Sequence, residues 1–77
     1  MKKFGVIVEY EGHDPSFDRR LEKVVGRELS GSGFGFIDGV RDINWQFGRL
    51  ETAKAAVAKL RNHRRRGMRV YIQKDTE

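Results

Sequence analysis

The residues best suited to binding chemistry in this sequence are five arginines crowded near its carboxyl-terminal end. They are Arg61, Arg64, Arg65, Arg66 and Arg69, and they fall within nine residues of chain. Of the 16 lysines and arginines, the 11 elsewhere are matched by 11 aspartates and glutamates, so the formal net charge of +5 belongs to this segment. A guanidinium group binds phosphate or carboxylate through paired hydrogen bonds. The composition therefore predicts a surface that binds an anionic partner.

Two interpretations of this arginine segment stay open at the level of sequence. Cations at the carboxyl-terminal end of a helix complement its dipole by about 0.3–1 kcal/mol each, and the remainder would form a solvated face. One or two arginines satisfy that need, whereas five repel one another unless an anionic surface relieves the repulsion. Our primary hypothesis is a small basic binding module that contacts nucleic acid or an acidic protein surface through these arginines.

The other groups capable of catalysis or metal binding lack the spacing that such chemistry needs. The chain has no cysteine, and its two histidines, His13 and His63, have neither metal-ligand spacing nor a nearby nucleophile. Asp14 and Asp18 fall where a helix begins, and capping and the helix dipole explain them. We therefore expect a non-enzymatic protein with no catalytic residues, no metal and no cofactor.

Length and hydropathy limit the class of protein. A chain of 77 residues closes one core, so we expect a single domain over 1–77. The apolar run after Lys3 reaches Glu9 too soon for a signal peptide, and no run approaches the roughly 18 apolar residues of a membrane span. We expect a cytoplasmic protein that does not associate with membranes.

The first half of the chain predicts a strand and a helix. Apolar residues alternate over 3–11, with Phe4, Val6, Val8 and Tyr10 on one face, as in a strand with one buried side. Asp14 as N-cap and Pro15 as first helical residue then predict a helix over 15–29. Its apolar stripe is Phe17, Leu21, Val24, Val25 and Leu29. Glycines within 30–33 are expected to end this helix.

A hairpin is predicted in the middle of the chain. Strands over 34–37 and 40–47 flank Asp38-Gly39, the dipeptide typical of a two-residue type I′ turn. This turn would place Phe36 opposite Arg41 and Phe34 opposite Ile43. Strand 40–47 is expected to bury three residues on the face it shares with Phe34 and Phe36. They are Ile43, Trp45 and Phe47.

The last third of the chain predicts a second helix and a final strand. The helix begins near Arg49 and ends in the arginine segment, with Gly67 as the residue after its cap. Its apolar stripe is Leu50, Ala53, Ala56, Val57 and Leu60. A strand over 68–73 follows, with Val70 and Ile72 inward and Arg69, Tyr71 and Gln73 outward. Residues 74–77 are expected to form a frayed tail.

Elements in the order β-α-β-β-α-β, with a central hairpin, predict an α+β domain of the ferredoxin-like fold. Its four-stranded antiparallel sheet has the order 4-1-3-2, with both helices on one face. The second and fourth strands are then edges, and 34–37 carries no charge that would discourage pairing. The alternative hypothesis is therefore a protein–protein interaction module, such as a homodimer formed by strand-edge pairing.

The chain also resembles the RNA recognition motif in two places. Residues 32–37, Ser-Gly-Phe-Gly-Phe-Ile, are similar to the middle of that family's aromatic octamer, although a hairpin follows where the family has a helix. Residues 40–57 are similar to the family's passage from strand three to helix two. In this second frame the base-stacking positions would be Ile7, Asp42 and Asn44, none of them aromatic. The resemblance implies the fold and argues against binding RNA by base stacking on the sheet.

Overall fold

The protein is described here by a computed structural model that covers residues 2–35 and 37–76. Six elements follow the predicted β-α-β-β-α-β order: β1 (Lys2–Glu11), α1 (Pro15–Val25), β2 (Gly31–Phe34), β3 (Val40–Phe47), α2 (Leu50–Leu60) and β4 (Arg69–Thr76). The strands form one antiparallel sheet in the order β2-β3-β1-β4, which is the predicted 4-1-3-2 order in reverse. The ferredoxin-like fold is confirmed.

The core lies between one face of the sheet and the two helices. The alternation predicted for β1 and β3 is confirmed, because their inward residues from Val6 to Tyr10 and from Ile43 to Phe47 are buried. Trp45 is fully buried, and its indole N–H donates to the carbonyl of Arg27 at 3.1 Å, which ties β3 to the chain beyond α1. The same alternation leaves the odd-numbered residues of β1 on the outer face of the sheet.

Helix α1 begins as predicted and ends earlier than predicted. The Asp14 carboxylate accepts from the N–H groups of Ser16 and Phe17 at 3.0 and 3.1 Å, which caps the helix. The prediction that it continues to Leu29 is wrong, because Gly26 takes a left-handed conformation with φ of 88° directly after Val25. Leu29 instead donates its N–H to the Glu22 carboxylate at 3.0 Å. The Glu22 side chain thus holds the segment that follows the helix against the helix.

The prediction for β2 is wrong in position and in register. The strand covers Gly31–Phe34 and not 34–37, and Phe34 lies opposite Arg41 while Ser32 lies opposite Ile43. The pairing therefore differs from the predicted one by two residues. Because side chains alternate with a period of two, this difference keeps Phe34 on the core side of the sheet.

The turn responsible for this shift is longer than two residues. Gly39 has a positive φ of 69°, but Asp38 does not, which excludes a type I′ turn. The Gly39 N–H donates to the Gly35 carbonyl at 2.7 Å, and the Asp38 carboxylate accepts from the Val40 N–H at 3.0 Å. A five-residue connection over 35–39 thus replaces the tight turn. Phe36 lies outside the described residues.

Helix α2 carries most of the predicted stripe but none of the clustered arginines. Ala53, Ala56, Val57 and Leu60 are buried, whereas Leu50 at the first position is 40% exposed, contrary to the prediction. The helix ends at Leu60 with Arg61 as its C-cap. Gly67, with φ of 68°, belongs to the turn before β4 and does not end the helix as predicted. The arginine run therefore lies on a connection and not on a helix face.

Strand β4 continues beyond its predicted end. Residues 74–76, predicted to fray, pair with the beginning of β1, with Phe4 opposite Lys74 and Lys2 opposite Thr76. Val70 and Ile72 pack against the core, as predicted, while Arg69, Tyr71 and Gln73 are exposed. The pairing follows from β1, which begins at Lys2 and offers a full-length partner.

Two matched glycine substitutions test the hairpin connection. A methyl group added at either Gly39 or Gly48 meets no atom within 4 Å, but only Gly39 has a positive φ. Gly39→Ala is therefore expected to lower the free energy of unfolding by about 1–2 kcal/mol through backbone strain alone. Gly48→Ala should change it by less than about 0.5 kcal/mol. Urea unfolding followed by Trp45 fluorescence measures both, and equal midpoints would contradict the assigned turn.

Candidate functional site

The arginine segment folds into a compact connection between α2 and β4. It continues from the end of α2 with the Asn62 and His63 N–H groups donating to the carbonyls of Lys59 and Leu60, at 3.2 and 3.0 Å. A second turn then forms, in which the Met68 N–H donates to the Arg65 carbonyl at 3.0 Å. The backbone thus reverses direction, which brings side chains separated by several residues to one place.

This connection surrounds a cavity of about 390 Å³ beside β4. Three arginines line it, Arg61, Arg64 and Arg65, together with His63. Met68 and Val70, both half-buried, supply its apolar part. A lining that combines cations with apolar side chains suits an anion that also has nonpolar surface to bury. We call this site the basic cavity.

Arg65 is held in place by the rest of the protein. Its guanidinium donates to the Asp14 carboxylate at 2.7 Å and lies 4.9 and 5.0 Å from the ring centroids of Tyr10 and Phe17. The hydrogen bond from Arg65, followed by that from the Phe17 N–H, lowers the pKa of Asp14 below its ordinary value of 3.8. Because the charge of Arg65 is already paired with that of Asp14, Arg65 contributes little free positive charge. Its contact with Asp14 instead holds the connection between α2 and β4 against the start of α1.

The charges of Arg61, Arg64 and Arg66 are not paired in this way. None of the ion pairs formed among the described side chains involves these three arginines. Arg61 donates to the Val70 carbonyl at 3.3 Å, a neutral acceptor that orients the side chain without neutralising it. Arg64 and Arg66 are exposed.

Arg69 is separated from the other four arginines. It is the first residue of β4 and lies opposite Glu9 of β1, so it belongs to the outer face of the sheet. Its guanidinium is 4.0 Å from the Glu9 carboxylate. The neighbouring Val70 points to the core side, because successive side chains of a strand alternate. Closeness in sequence therefore does not bring Arg69 to the basic cavity.

The helices carry further exposed cations that the sequence analysis did not assign to a site. They are Arg19, Arg20 and Lys23 of α1 and Lys54 and Lys59 of α2. By contrast, the outer face of the sheet carries the carboxylates Glu9 and Asp42. The spacing of Arg19 and Lys23, four residues apart in α1, was the signal in the sequence that could have placed these two cations on one helix face. Exposed cations are therefore present on both helices as well as in the basic cavity.

Asp18 has a role that differs from the predicted one. It is 5% exposed and accepts hydrogen bonds from the Tyr10 hydroxyl and from two nitrogens of Arg41, at 3.2 and 3.0 Å. Burial, and next the hydrogen bond with Asp18, raise the pKa of Tyr10 to about 12. The helix dipole alone does not explain this residue, because its carboxylate joins three elements inside the protein.

No established function can be transferred to the chain by similarity. It matches no protein-family model, no curated protein and no solved structure. Across the described residues, no group of three or more His, Cys, Asp or Glu side chains is placed to hold a metal ion. None of the helices over the same residues has the length and apolarity of a membrane span. His13 is exposed, and its ring lies beside that of Phe34 with 5.8 Å between the two centroids.

Removal of the buried carboxylate tests its structural role. Asp18→Ala leaves the guanidinium of Arg41, whose side chain is 13% exposed, without its acidic partner. We expect this variant to lose about 3–5 kcal/mol of unfolding free energy. Asp42→Ala, on the exposed face of the same strand β3, should lose less than about 0.5 kcal/mol. Similar unfolding midpoints for the two variants would contradict the assigned network.

The ion pair between Asp14 and Arg65 predicts a dependence of stability on pH. Because the pKa of Asp14 is lowered in the folded state, its stabilisation is complete above pH 3.8 and is lost as the pH falls through the lower value. Asp14→Asn retains a helix-capping side chain but removes the charge. The urea midpoint of the wild type should exceed that of the variant at neutral pH, and the difference should shrink below pH 3.8. A difference that does not vary with pH would contradict the ion pair.

Proposed function

We propose that this protein is a non-enzymatic module that binds the phosphate backbone of a nucleic acid through its basic cavity. The supporting observation is that Arg61, Arg64 and Arg65 line one cavity together with His63. Two of these arginines, Arg61 and Arg64, have no carboxylate partner among the described residues. Unpaired cations placed together repel one another, and a bound polyanion removes that repulsion.

The distribution of charge favours a nucleic acid over a single acidic side chain. Further exposed cations lie on the two helices, at Lys59 of α2 and at Arg19 and Arg20 of α1. A row of separate positive groups suits a ligand whose negative charge repeats along its length. An acidic protein surface is the less favoured partner, because protein carboxylates do not repeat in this regular way.

The outer face of the sheet supports binding that does not depend on base sequence. The three stacking positions of the RNA recognition motif correspond here to Ile7, Asp42 and Asn44 on that face. Base stacking needs exposed aromatic rings, and the carboxylates of Asp42 and Glu9 would repel phosphates. We therefore propose that the protein contacts phosphates and does not recognise bases. DNA and RNA are then equivalent ligands.

A matched pair of arginine substitutions tests this function. Arg64→Gln removes a cation from the basic cavity, and Arg69→Gln removes the same charge from the opposite face of the sheet. Fluorescence anisotropy with a labelled duplex and a labelled single strand, over a series of salt concentrations, gives the affinities. Loss of one phosphate contact should reduce the slope of log affinity against log salt by about one in Arg64→Gln alone.

Two results would contradict the proposed function. The first is that the parent binds neither nucleic acid at low salt. The second is that Arg64→Gln binds with the affinity and salt dependence of the parent, as the control variant Arg69→Gln is expected to do. Circular dichroism and urea midpoints equal to those of the parent serve as controls for folding. Arg65 is left unchanged because its contact with Asp14 would confound binding with stability.

An uncharged edge strand supports the alternative function, which is interaction with another protein chain. Strand β2 is an edge of the sheet, and its four residues, Gly31–Phe34, carry no charged side chain that would discourage pairing with another chain. A protein–protein interaction module or homodimer would use this edge. Gel filtration that shows a salt-insensitive dimer, with no nucleic-acid binding, would favour this alternative.

A further inference from the structure

The basic cavity has aromatic and apolar side chains that phosphate binding does not use. Beside its arginines, the lining contains His63, Met68 and Val70. A phosphate group is held by charge and hydrogen bonds, which thioether and valine side chains do not supply. The cavity volume of about 390 Å³ lies within the range of roughly 300–1,000 Å³ that is typical of sites for small organic molecules. The cavity therefore suits more of a nucleic acid than its phosphates.

The His63 ring is the part of this lining that the fold does not explain. Met68 and Val70 pack against the core, which accounts for their apolar character. The half-buried His63 side chain, by contrast, forms no hydrogen bond, ion pair or ring contact within the part of the chain that the structure describes. The other histidine, His13, already lies against the Phe34 ring. His63 is thus the imidazole available to a ligand.

Backbone hydrogen bonds hold His63 and Met68 in place on two successive turns. The His63 N–H donates to the Leu60 carbonyl at 3.0 Å, directly after α2. The Met68 N–H donates to the Arg65 carbonyl at 3.0 Å, directly before β4. A site whose backbone is ordered before the ligand arrives loses less conformational entropy on binding. The ring and the thioether are therefore presented to a ligand by a fixed backbone.

We propose that the basic cavity binds one unpaired base of a single-stranded nucleic acid, stacked on the His63 ring, between phosphates bound by Arg61 and Arg64. The proposal rests on the proposed function and adds a preference for single strands. Proteins that bind unpaired bases stack them on aromatic side chains, histidine among them. Every base has an aromatic face, so this contact does not distinguish one base from another. The thioether of Met68 adds a favourable contact with the edge of an aromatic ring.

Three ligands with the same phosphate chemistry test the proposal on the parent protein. They are a labelled oligothymidylate, an abasic strand of the same length, and a duplex with a labelled strand of that length. Fluorescence anisotropy at one low salt concentration gives their affinities. Because stacking contributes substantially for each base, oligothymidylate should bind about tenfold or more tightly than the abasic strand. It should also bind more tightly than the duplex, whose bases are stacked on one another and are not available to His63.

Substitutions of the two histidines assign the contact to the ring of His63. His63→Ala should weaken binding of oligothymidylate about tenfold and leave binding of the abasic strand unchanged. His63→Phe keeps an aromatic ring but removes the imidazole nitrogens, so it should retain the parent's affinity for oligothymidylate. His13→Ala removes the other imidazole, which is exposed beside β2, and should bind both strands like the parent.

The outcomes separate failure of this proposal from failure of the proposed function. Equal affinities of the parent for oligothymidylate and the abasic strand would overturn base stacking, and so would equal losses in His63→Ala and His63→Phe. Salt-dependent binding of both strands would in that case still support phosphate binding by the arginines. Absence of binding to all three ligands would contradict both. Circular dichroism and urea midpoints equal to the parent's exclude misfolding of the variants, and the comparison of ligands needs no variant.

Discussion

The packing of the helix α1 on the sheet depends most on the hydrogen bonds of one buried carboxylate, that of Asp18. It lies on α1 and accepts hydrogen bonds from Tyr10 of β1 and Arg41 of β3, so it joins the helix to the two central strands. Arg41 also donates to the Gly33 carbonyl at 3.4 Å, which extends the connection to β2. A buried charge is tolerated only when its partners satisfy it, and this requirement allows few alternative packings.

The same network reaches the basic cavity. The Tyr10 hydroxyl accepts from the Asp14 N–H at 3.3 Å, and the Asp14 carboxylate both caps α1 and binds Arg65. Charged and polar groups thus run without interruption from β3, through the beginning of α1, to the connection after α2. The placement of Arg61 and Arg64 depends on this chain of contacts, because Arg65 anchors the segment that carries them. Arg65, which is paired with Asp14, therefore positions the arginines on which the proposed function depends.

The division of charge between the two faces follows from the topology. Both helices cover one face of the sheet, and their exposed sides carry the cations Arg19, Arg20, Lys23, Lys54 and Lys59. The other face carries Glu9 and Asp42 among amide side chains and glycines. A net charge of +5 for the whole chain conceals this asymmetry.

Local patterns in the sequence determined the order of elements, the inward faces of β1 and β3 and the cap of α1. Each depends on residues a few positions apart, such as the alternation from Val6 to Tyr10 or the pairing of Asp14 with Pro15. The order of the elements also predicted the order of strands in the sheet, because few topologies connect such elements without crossing connections. The sequence also located the arginines, but not which of them share a cavity.

Tertiary contacts decided the rest. The register of β2 was set by a connection over 35–39 whose hydrogen bonds are not specified by Asp38-Gly39 alone. Arg65 and Arg69 were equivalent in sequence, yet one is bound by Asp14, 51 residues away, and the other faces Glu9 across the sheet. Asp18 finds its partner Arg41 at a separation of 23 residues. Pairings between distant residues exist only once the strands and helices have packed, so no local pattern could reveal them.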